Sequence, residues 1–445
     1  MEGFVIQIDS TQQYTHYNTI KSMLKAPLTE LLLQIAPHQV KIGFTTGFLF
    51  SKDTLGTLNT VFEFSEIKEV DAKEREYLQV TVGDSIKFAT DRFGSNSLLY
   101  ETNENGVCIS TFMCKESSAP NEWYEYFYTD KTVLKHKKAG NTIEEYYSSI
   151  FGERLDLPTE EVSECVKLLD ESLSKAVEMM LRTSGETIPV LFSGGIDSSM
   201  IAYYVLLHCG EKKVELYNMA CLYEGTFESP DRLCARAVLS DLKKIFPTKN
   251  FEFIEINASE DVILQTSENI KNVIYPNDTV MDLSITTATT LALISEGLCG
   301  THTVRRTSPY VFCGQGADEQ LGGYGRHRNA LKYNRLSQEL ELDFCRLWSR
   351  NTERDDRVSK YCKVKCLYPF LENQVVRVIR NIPEKLLVKL ELPENEGNKW
   401  ILREVARKNG MVQCANFKKT AIQFGTRIAK VLNKGKKVSG ADKLE

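Results

Sequence analysis

Leu191-Phe192-Ser193-Gly194-Gly195-Ile196-Asp197-Ser198-Ser199 is the stretch of this chain whose residue types and spacing could do chemistry. It follows a short apolar run, Ile188 to Phe192, that reads as a buried strand. It precedes an apolar-periodic run, Met200 to Leu207, that predicts a helix ending near Gly210. A Ser- and Gly-rich turn between strand and helix makes an anion site. Its glycines let backbone N–H groups approach a phosphate, and the helix N-terminus adds partial positive charge. Asp197 is the unusual member. A carboxylate beside phosphates repels them unless a cation sits between, so it implies Mg²⁺. The alternative reading is an ordinary Gly-rich strand–helix turn.

A second loop, Gly314-Gln315-Gly316-Ala317-Asp318-Glu319-Gln320-Leu321-Gly322-Gly323-Tyr324, again combines flexible backbone with acids. Asp318 could hold the same cation as Asp197 from the other side. Two carboxylates, phosphate oxygens and water complete an octahedral oxygen shell for Mg²⁺. Alone, this loop could equally be a tight turn; paired with the first it is more specific. Ser-Gly-Gly-x-Asp-Ser resembles the loop of the ATP pyrophosphatases, which cleave ATP between the α- and β-phosphates and leave an adenylated substrate. It is not a Walker loop, because no Gly-Lys-Ser or Gly-Lys-Thr follows, and the Gly-x-Gly-x-x-Gly fingerprint is absent.

These loops must be positioned by an alternation of strands and helices. Strand Ile188–Phe192 leads into the first loop. Val214–Cys221 reads as a strand followed by a helix opening at Ser229-Pro230-Asp231. Asn250–Ile256 reads as a strand with a helix from about Ser259, and Val280–Glu296 as a helix with Gly297 just past its end. Strand Tyr310–Cys313 enters the second loop. The alternation predicts an α/β unit, a parallel sheet flanked by helices with right-handed crossovers. Ligands of such sheets bind outside the strand carboxyl ends, so both loops can face one site. Upstream of it, Thr159 is a plausible N-cap with Glu160 and Glu161, and Val162 to Met180 recurs at helical spacing.

Residues 1 to about 150 differ. Short β-rich runs (Val40–Phe50, Val61–Phe64, Leu78–Val82, Ser85–Thr90, Gly106–Phe112) alternate with turn residues, which predicts a layered antiparallel α+β domain. The stretch Asn433–Glu445 is rich in Lys, Gly and Ser and reads as a flexible tail. With 445 residues the chain has room for two or three domains. A net charge of −5 argues against a broad nucleic-acid-binding surface. No run approaches the ~18 apolar residues of a membrane span, and Met1-Glu2-Gly3-Phe4 lacks the layout of a signal peptide. Twelve cysteines without Cys-x-x-Cys pairs read as reduced thiols in the cytoplasm. Cys362 and Cys366 are the closest pair that could invite a metal, and free thiols explain them better.

Taken together, the two loops resemble the asparagine synthetases, over most of residues 156–432. Further matching pieces are Ser229-Pro230-Asp231-Arg232, Asp278-Thr279-Val280-Met281-Asp282, Tyr368-Pro369-Phe370-Leu371-Glu372, Lys399-Trp400-Ile401-Leu402-Arg403, and Lys419 with Ala421-Ile422-Gln423-Phe424-Gly425. Arg326-His327-Arg328, Ser349-Arg350-Asn351, Arg354-Asp355-Asp356-Arg357 and Gln423 to Lys430 resemble a eukaryotic branch of that family. The resemblance implies a type of reaction: aspartate is activated by ATP as an acyl-adenylate, then ammonia attacks to give asparagine. It implies that Leu191 and nearby backbone hold adenine. Ser193, Gly194, Gly195, Asp197 and Ser198 would hold the pyrophosphate, with Gly314 and Gly316 lining the facing loop. Mg²⁺ would sit on Asp197 and Asp318, and Lys419 over the α-phosphate, where a cation would stabilise developing charge. Read without the family, Lys419 is a solvated lysine in the run Lys418-Lys419.

The chain also departs from the family. Working glutaminase members begin Met-Cys-Gly, with an N-terminal Cys nucleophile; here Glu2 and Gly3 stand in place. Asp91-Arg92-Phe93-Gly94 and Ser97-Leu98-Leu99-Tyr100 resemble later strands of that domain. Residues 1–155 are therefore expected to keep a degenerate, N-terminal-nucleophile-type amidotransferase fold without glutaminase chemistry, a mis-assigned start being the rival reading. Gln315 replaces the family's glutamate, and an amide cannot take a proton from an attacking amine. Lys365 and Leu367 stand where an acid and an arginine are usual. Two functions stay open: a ligase acting on a small carboxylate, aspartate by family, and a non-catalytic nucleotide-binding or scaffold protein that keeps the fold. A GMP synthetase or tRNA-thiolating enzyme is the weaker third, since zinc cysteines and a basic surface are missing.

Overall fold

In the computed structural model, the described residues run from 184 to 435 and 438 to 444, with 162–182 before them. Nearer the N-terminus they are 4–9, 29–35, 38–44, 49–52, 58–63, 77–82, 86–90, 93, 97–103, 106–111, 114–120, 122–127, 131–138 and 142–151. Glu2, Gly3, Asp91, Arg92, Gly94, Phe112 and the expected cap Thr159 with Glu160 and Glu161 lie outside them. The chain divides into two compact units. One gathers Met1–Tyr146, Ile270–Asp278 and Leu347–Lys363; the other holds Tyr147–Asn269, Thr279–Arg346 and Val364–Glu445.

The first unit carries twelve strands among its described residues: β1 (Phe4–Asp9), β2 (Thr29–Ile35), β3 (His38–Phe44), β4 (Leu49–Lys52), β5 (Leu58–Glu63), β6 (Tyr77–Val82), β7 (Ile86–Ala89), β8 (Leu99–Asn103), β9 (Gly106–Ser110), β10 (Glu116–Ser117), β11 (Glu122–Phe127) and β12 (Thr132–Lys137). They form two six-stranded antiparallel sheets, ordered β10-β8-β9-β1-β3-β2 and β12-β11-β7-β6-β5-β4. The pleat sorts side chains by face: Ile86 and Phe88 are buried while Lys87 between them is exposed. Tyr100 of one sheet meets Phe88 and Tyr124 of the other, ring centroids 5.3 and 5.2 Å away.

Two later segments are knitted into this unit by a buried arginine. Arg357 donates to Ser97 Oγ at 3.1 Å, to Ile274 O at 2.9 Å and to Asn277 Oδ1. Ser97 N–H in turn donates to Asp356 Oδ2 at 2.6 Å, and Asn277 Nδ2 to Ser349 O at 3.2 Å. A guanidinium presents five donors in a rigid fork, which suits it to joining segments distant in sequence.

The second unit is built on a seven-stranded sheet ordered β17-β16-β15-β14-β13-β18-β19. Its strands are β13 (Thr187–Leu191), β14 (Lys213–Cys221), β15 (Phe251–Ala258), β16 (Gly297–Cys299), β17 (His302–Val304), β18 (Tyr310–Phe312) and β19 (Lys365–Leu367). β13, β14, β15, β18 and β19 are parallel, as the strand–helix alternation predicts. β14 is buried along nearly its whole length, the signature of a strand covered on both faces. Winding runs outward from β13 through β14 to β15, then reverses to β18 and β19. The reversal puts a crevice at the carboxyl ends of β13 and β18, where open α/β sheets bind ligands.

Three details differ from the sequence reading. The helix after the first loop is Ile196–His208, so Asp197 and Ser198 stand in its first turn rather than before it. The helix Val280–Ile294 ends at a Ser295 cap, and Gly297 opens strand β16 of an antiparallel ribbon with β17. A Cβ at Gly297 would collide with Ile254 Cγ2, so this glycine serves close strand packing and not a helix end. The stretch read as a tail reaches the helix Val280–Ile294: Val280 N–H donates to Asp442 O at 2.9 Å and Met281 N–H to Gly440 O at 3.0 Å. These carbonyls satisfy first-turn donors that a helix cannot satisfy itself. Among the described residues, no helix is long and apolar enough to cross a membrane.

Candidate active site

The first loop orders itself through its small side chains. Ser198 Oγ accepts from Ser193 N–H at 3.2 Å and donates to Gly195 O at 3.1 Å, while Gly195 N–H donates to Ser193 Oγ at 3.3 Å. Gly194 has φ +79°, and a Cβ there would run into the backbone of Ala235, so only glycine fits. Helix Ile196–His208 opens on Gly195 with no side-chain cap, which leaves its N-terminal dipole to a ligand.

The strand ends behind this loop are fixed by the Ser229-Pro230-Asp231-Arg232 segment. Ser229 Oγ caps the helix Pro230–Ile245 by accepting from Arg232 N–H. The buried Arg232 donates to Asn218 Oδ1 at 2.6 Å, Asn257 Oδ1 at 3.0 Å and Ile256 O at 3.0 Å. Asn218 passes the tie on, donating from Nδ2 to Phe192 O at 2.8 Å. Burial pushes the Asp231 carboxyl up to about 8 against the opposing charge of Lys419.

The second loop presses directly on the first. A Cβ at Gly314 would stand 2.8 Å from Asp197 Cβ and 3.1 Å from Ser198 N. Gln315 follows, half-buried, and Gly316 takes φ +90° beneath Leu371. Asp318 lies in the short helix Ala317–Leu321, and Gly323 N–H donates to Asp318 O at 2.9 Å. Leu367, one of the departures from the family pattern, pairs with Phe312 two residues before Gly314.

The structure brings the Asp197 and Asp318 side chains together, and the group that joins them is Lys399. Its Nζ lies 2.5 Å from Asp197 Oδ2 and 2.6 Å from Asp318 Oδ1, and its side chain is 0% exposed. Lys419 Nζ is 3.2 Å from Asp318 Oδ2 and 4.9 Å from the centre of the Tyr324 ring, whose hydroxyl donates to Glu319 Oε1 at 2.6 Å. Burial raises Asp318, but the ammonium groups of Lys399 and Lys419 outweigh it and hold the carboxyl at about 2. Burial, with Asp318 adding repulsion, keeps Asp197 above the usual carboxylate range in spite of Lys399. Burial opposes the charge on Lys399, yet the two carboxylates raise its pKa above the ordinary lysine value.

Lys399 escapes the sequence reading, which assigns a role only to Lys419; its one signal is membership of the Lys399-Trp400-Ile401-Leu402-Arg403 piece. Its backbone is left-handed, φ 54° and ψ 37°, at the head of the helix Trp400–Lys408. Bulky residues adopt that region only under strong local constraint. Part of the constraint is Arg403, fully buried, which donates to Asn398 O at 2.7 Å, Ala415 O at 2.9 Å and Phe417 O at 3.0 Å. One guanidinium therefore fixes the segments that carry both lysines. Burial, its largest influence, lowers Arg403 to about 10.

A divalent cation fits these residues in part. Two carboxylates face one space, and Asp197 Oδ1 is buried without a hydrogen-bond partner among the described residues. No group of three or more His, Cys, Asp or Glu able to hold a metal occurs among the described residues. Mg²⁺ is commonly held in this way, by one or two carboxylates with substrate phosphates completing the shell. Cys362 and Cys366 are buried free thiols.

The asparagine synthase family model matches residues 168–341 and 329–428, a span that contains both loops and both lysines. This chain belongs to the asparagine synthase family. It is 28% identical over 406 residues to asparagine synthetase domain-containing protein 1 of Gallus gallus, covering 77% of this chain and 63% of that protein. An asparagine synthetase domain-containing protein of Saccharomyces cerevisiae is 30% identical over 388 residues, covering 80% of this chain and 70% of that one. Among solved structures, a Bacillus subtilis glutamine phosphoribosylpyrophosphate amidotransferase complexed with ADP and GMP aligns at 11% identity. It covers 49% of this chain and 66% of its own, with a TM-score of 0.24, too low to bear on the fold. The synthase family membership carries a synthetase-like ligase fold into the second unit, where the loops meet.

Proposed function

We propose that this chain is an ATP-dependent ligase of the asparagine synthetase type. It would activate a small carboxylate, aspartate by family, as an acyl-adenylate with release of pyrophosphate, and then form an amide. The observation that carries this reading is the meeting of Asp197 and Asp318 at one point, with two lysines beside them.

In this reading adenine lies against Leu191 and the backbone near it, at the carboxyl end of β13. The pyrophosphate lies in the turn of Ser193, Gly194, Gly195 and Ser198, where the uncapped helix start favours an anion. Gly314 and Gly316 allow the second loop its close approach. Mg²⁺ bound by Asp197 and Asp318 would neutralise phosphate charge. Lys419, held by the Tyr324 ring and Asp318, offers a positive charge to the α-phosphate as the substrate carboxylate attacks it and pyrophosphate leaves. Lys399 offers another toward the leaving pyrophosphate. Gln315 cannot accept a proton, so amide formation would rely on an amine that arrives neutral and sheds its extra proton, after attack, to the departing phosphate or to water. Residues 1–155 enter as a degenerate amidotransferase-like domain, and the protein works in the cytoplasm without nucleic acid or membrane.

A non-catalytic nucleotide-binding or scaffold role is favoured by one observation, the apolar Leu367 beside Phe312 at the carboxyl edge of β18. Exchange of labelled pyrophosphate into ATP separates the two readings. The ligase reading expects exchange that needs Mg²⁺ and a carboxylate and that disappears in Asp197→Asn. A panel of carboxylates that elicits none, with no rise in Tm on adding ATP, would overturn it.

A further inference from the structure

At the centre of the site Asp197 and Asp318 face Lys399 and Lys419 one for one, with the acids Glu319 and Asp231 beside them. Lys399 stands in a particular place among them. Its ammonium bridges the two carboxylates at 2.5 and 2.6 Å, in the space a cation shared by both acids would take. The side chain is held there from several directions. It is fully buried, its backbone is forced left-handed, and its Cε packs so close to Gly323 that a Cβ there would collide with it. The same Cβ would collide with Asp318 Oδ1, so Gly323 makes room for lysine and acid at once.

A divalent ion entering this cluster alone would meet an ammonium at contact distance and add positive charge in a mostly buried place. Such an arrangement is costly where water is scarce. Entering with a polyphosphate, the same ion brings its own negative charge, and the ammonium gains new oxygens to face. Asp197 Oδ1, buried and unpartnered among the described residues, is an acceptor left over from the lysine bridge.

Resting on the nucleotide reading above, we propose that Lys399 is a resident counter-ion that keeps divalent metal off Asp197 and Asp318 until nucleotide phosphates arrive. Metal and nucleotide then bind together, and the Lys399 ammonium moves from the carboxylates toward the phosphates. Lysine suits this role better than arginine, because its point charge on a four-carbon stem can change partners without matching a planar fork.

The test uses Mn²⁺ as the probe, followed by its electron paramagnetic resonance signal in the full chain. Wild type should bind Mn²⁺ alone at least about tenfold more weakly than Lys399→Met, the effect expected from removing one ammonium at contact distance. Adding an ATP analogue with a non-hydrolysable α,β-bridge should tighten Mn²⁺ in wild type and narrow that gap. Asp197→Asn combined with Lys399→Met should lose the gained site, which shows that the new metal sits on this acid. If wild type takes up Mn²⁺ alone as tightly as Lys399→Met while still holding the analogue, the counter-ion role is wrong and the nucleotide reading stands. If no form holds the analogue at any Mn²⁺ concentration, the nucleotide reading fails and this inference with it. Should Lys399→Met not fold, wild type decides alone. Mn²⁺ binding that does not change with the analogue overturns the proposal, and binding that appears only with it supports the proposal.

Discussion

Two buried cations, one in each unit, are held in different ways; Arg357 has one carboxylate, Glu353, 3.8 Å away, and Lys399 has two at contact distance. Arg357 in the first unit directs its hydrogen bonds at neutral oxygens: Ser97 Oγ, Ile274 O and Asn277 Oδ1. Lys399 in the second bridges two carboxylates. A guanidinium bonded to a hydroxyl, a backbone carbonyl and an amide is costly to move, because each departure strands a buried acceptor. An ammonium between two acids stands where, on the reading proposed above, another cation could take its place. The first arrangement ties segments together; the second is the one the proposed function would use. Burial of a charge is common to both, so burial alone does not mark a functional group.

This contrast can be broken experimentally. The largest effect is expected in the site: Asp197→Asn should lower any Mg²⁺-dependent ATP–pyrophosphate exchange by about a hundredfold or more in protein that stays folded, at some cost in Tm because the buried Lys399 keeps only one acid. Were the pair only structural, the folded fraction would keep its exchange. Arg357→Ala should do the reverse. It strands Ile274 O and the Asn277 amide and should cost about 3–5 kcal/mol of stability by chemical denaturation, while the folded fraction keeps its nucleotide affinity. Gly323→Ala pushes a methyl group onto Asp318 Oδ1 and Lys399 Cε, and should cost about 1–3 kcal/mol and weaken nucleotide binding together.

A subtler expectation concerns Asp231. Its folded pKa of about 8 lies above that of the unfolded chain, so the folded protein binds the proton more tightly between roughly pH 4 and 8. Its contribution to stability is complete below the unfolded pKa and is lost as pH rises toward 8. The Tm of wild type relative to Asp231→Asn should therefore fall between pH 5 and pH 8; a constant difference would mean that Asp231 is ionised throughout. The smallest effect should come from Tyr324→Phe, which removes one hydroxyl from Glu319 but keeps the ring under Lys419, and should cost about 1 kcal/mol.

Sequence reading captures what local pattern controls. Strand β13, expected at Ile188–Phe192, is Thr187–Leu191, and the alternation that follows predicts the parallel core of the sheet. The meeting of Asp197 with Asp318 is also legible, because glycine-rich loops at neighbouring strand ends face one crevice. Lys399 is not legible, since it lies 202 residues from Asp197 and a lone lysine ordinarily belongs in water. The ribbon of β16 and β17 is hidden by Gly297, a glycine placed where a helix end would also want one. Arg357 enters the sequence reading only within the Arg354-Asp355-Asp356-Arg357 match, and only the fold brings Ser97 and Asn277 to it.

Arg403 ties the lysine-bearing segments to a helix whose inner face, Ile401, Leu402, Val405 and Ala406, belongs to the main apolar core of its unit. The Lys399 side of the crevice is therefore anchored in that core. Amide protons along that face should exchange only when the whole unit opens. On the proposed reading, a nucleotide bound there would grip one of the most persistent parts of its unit.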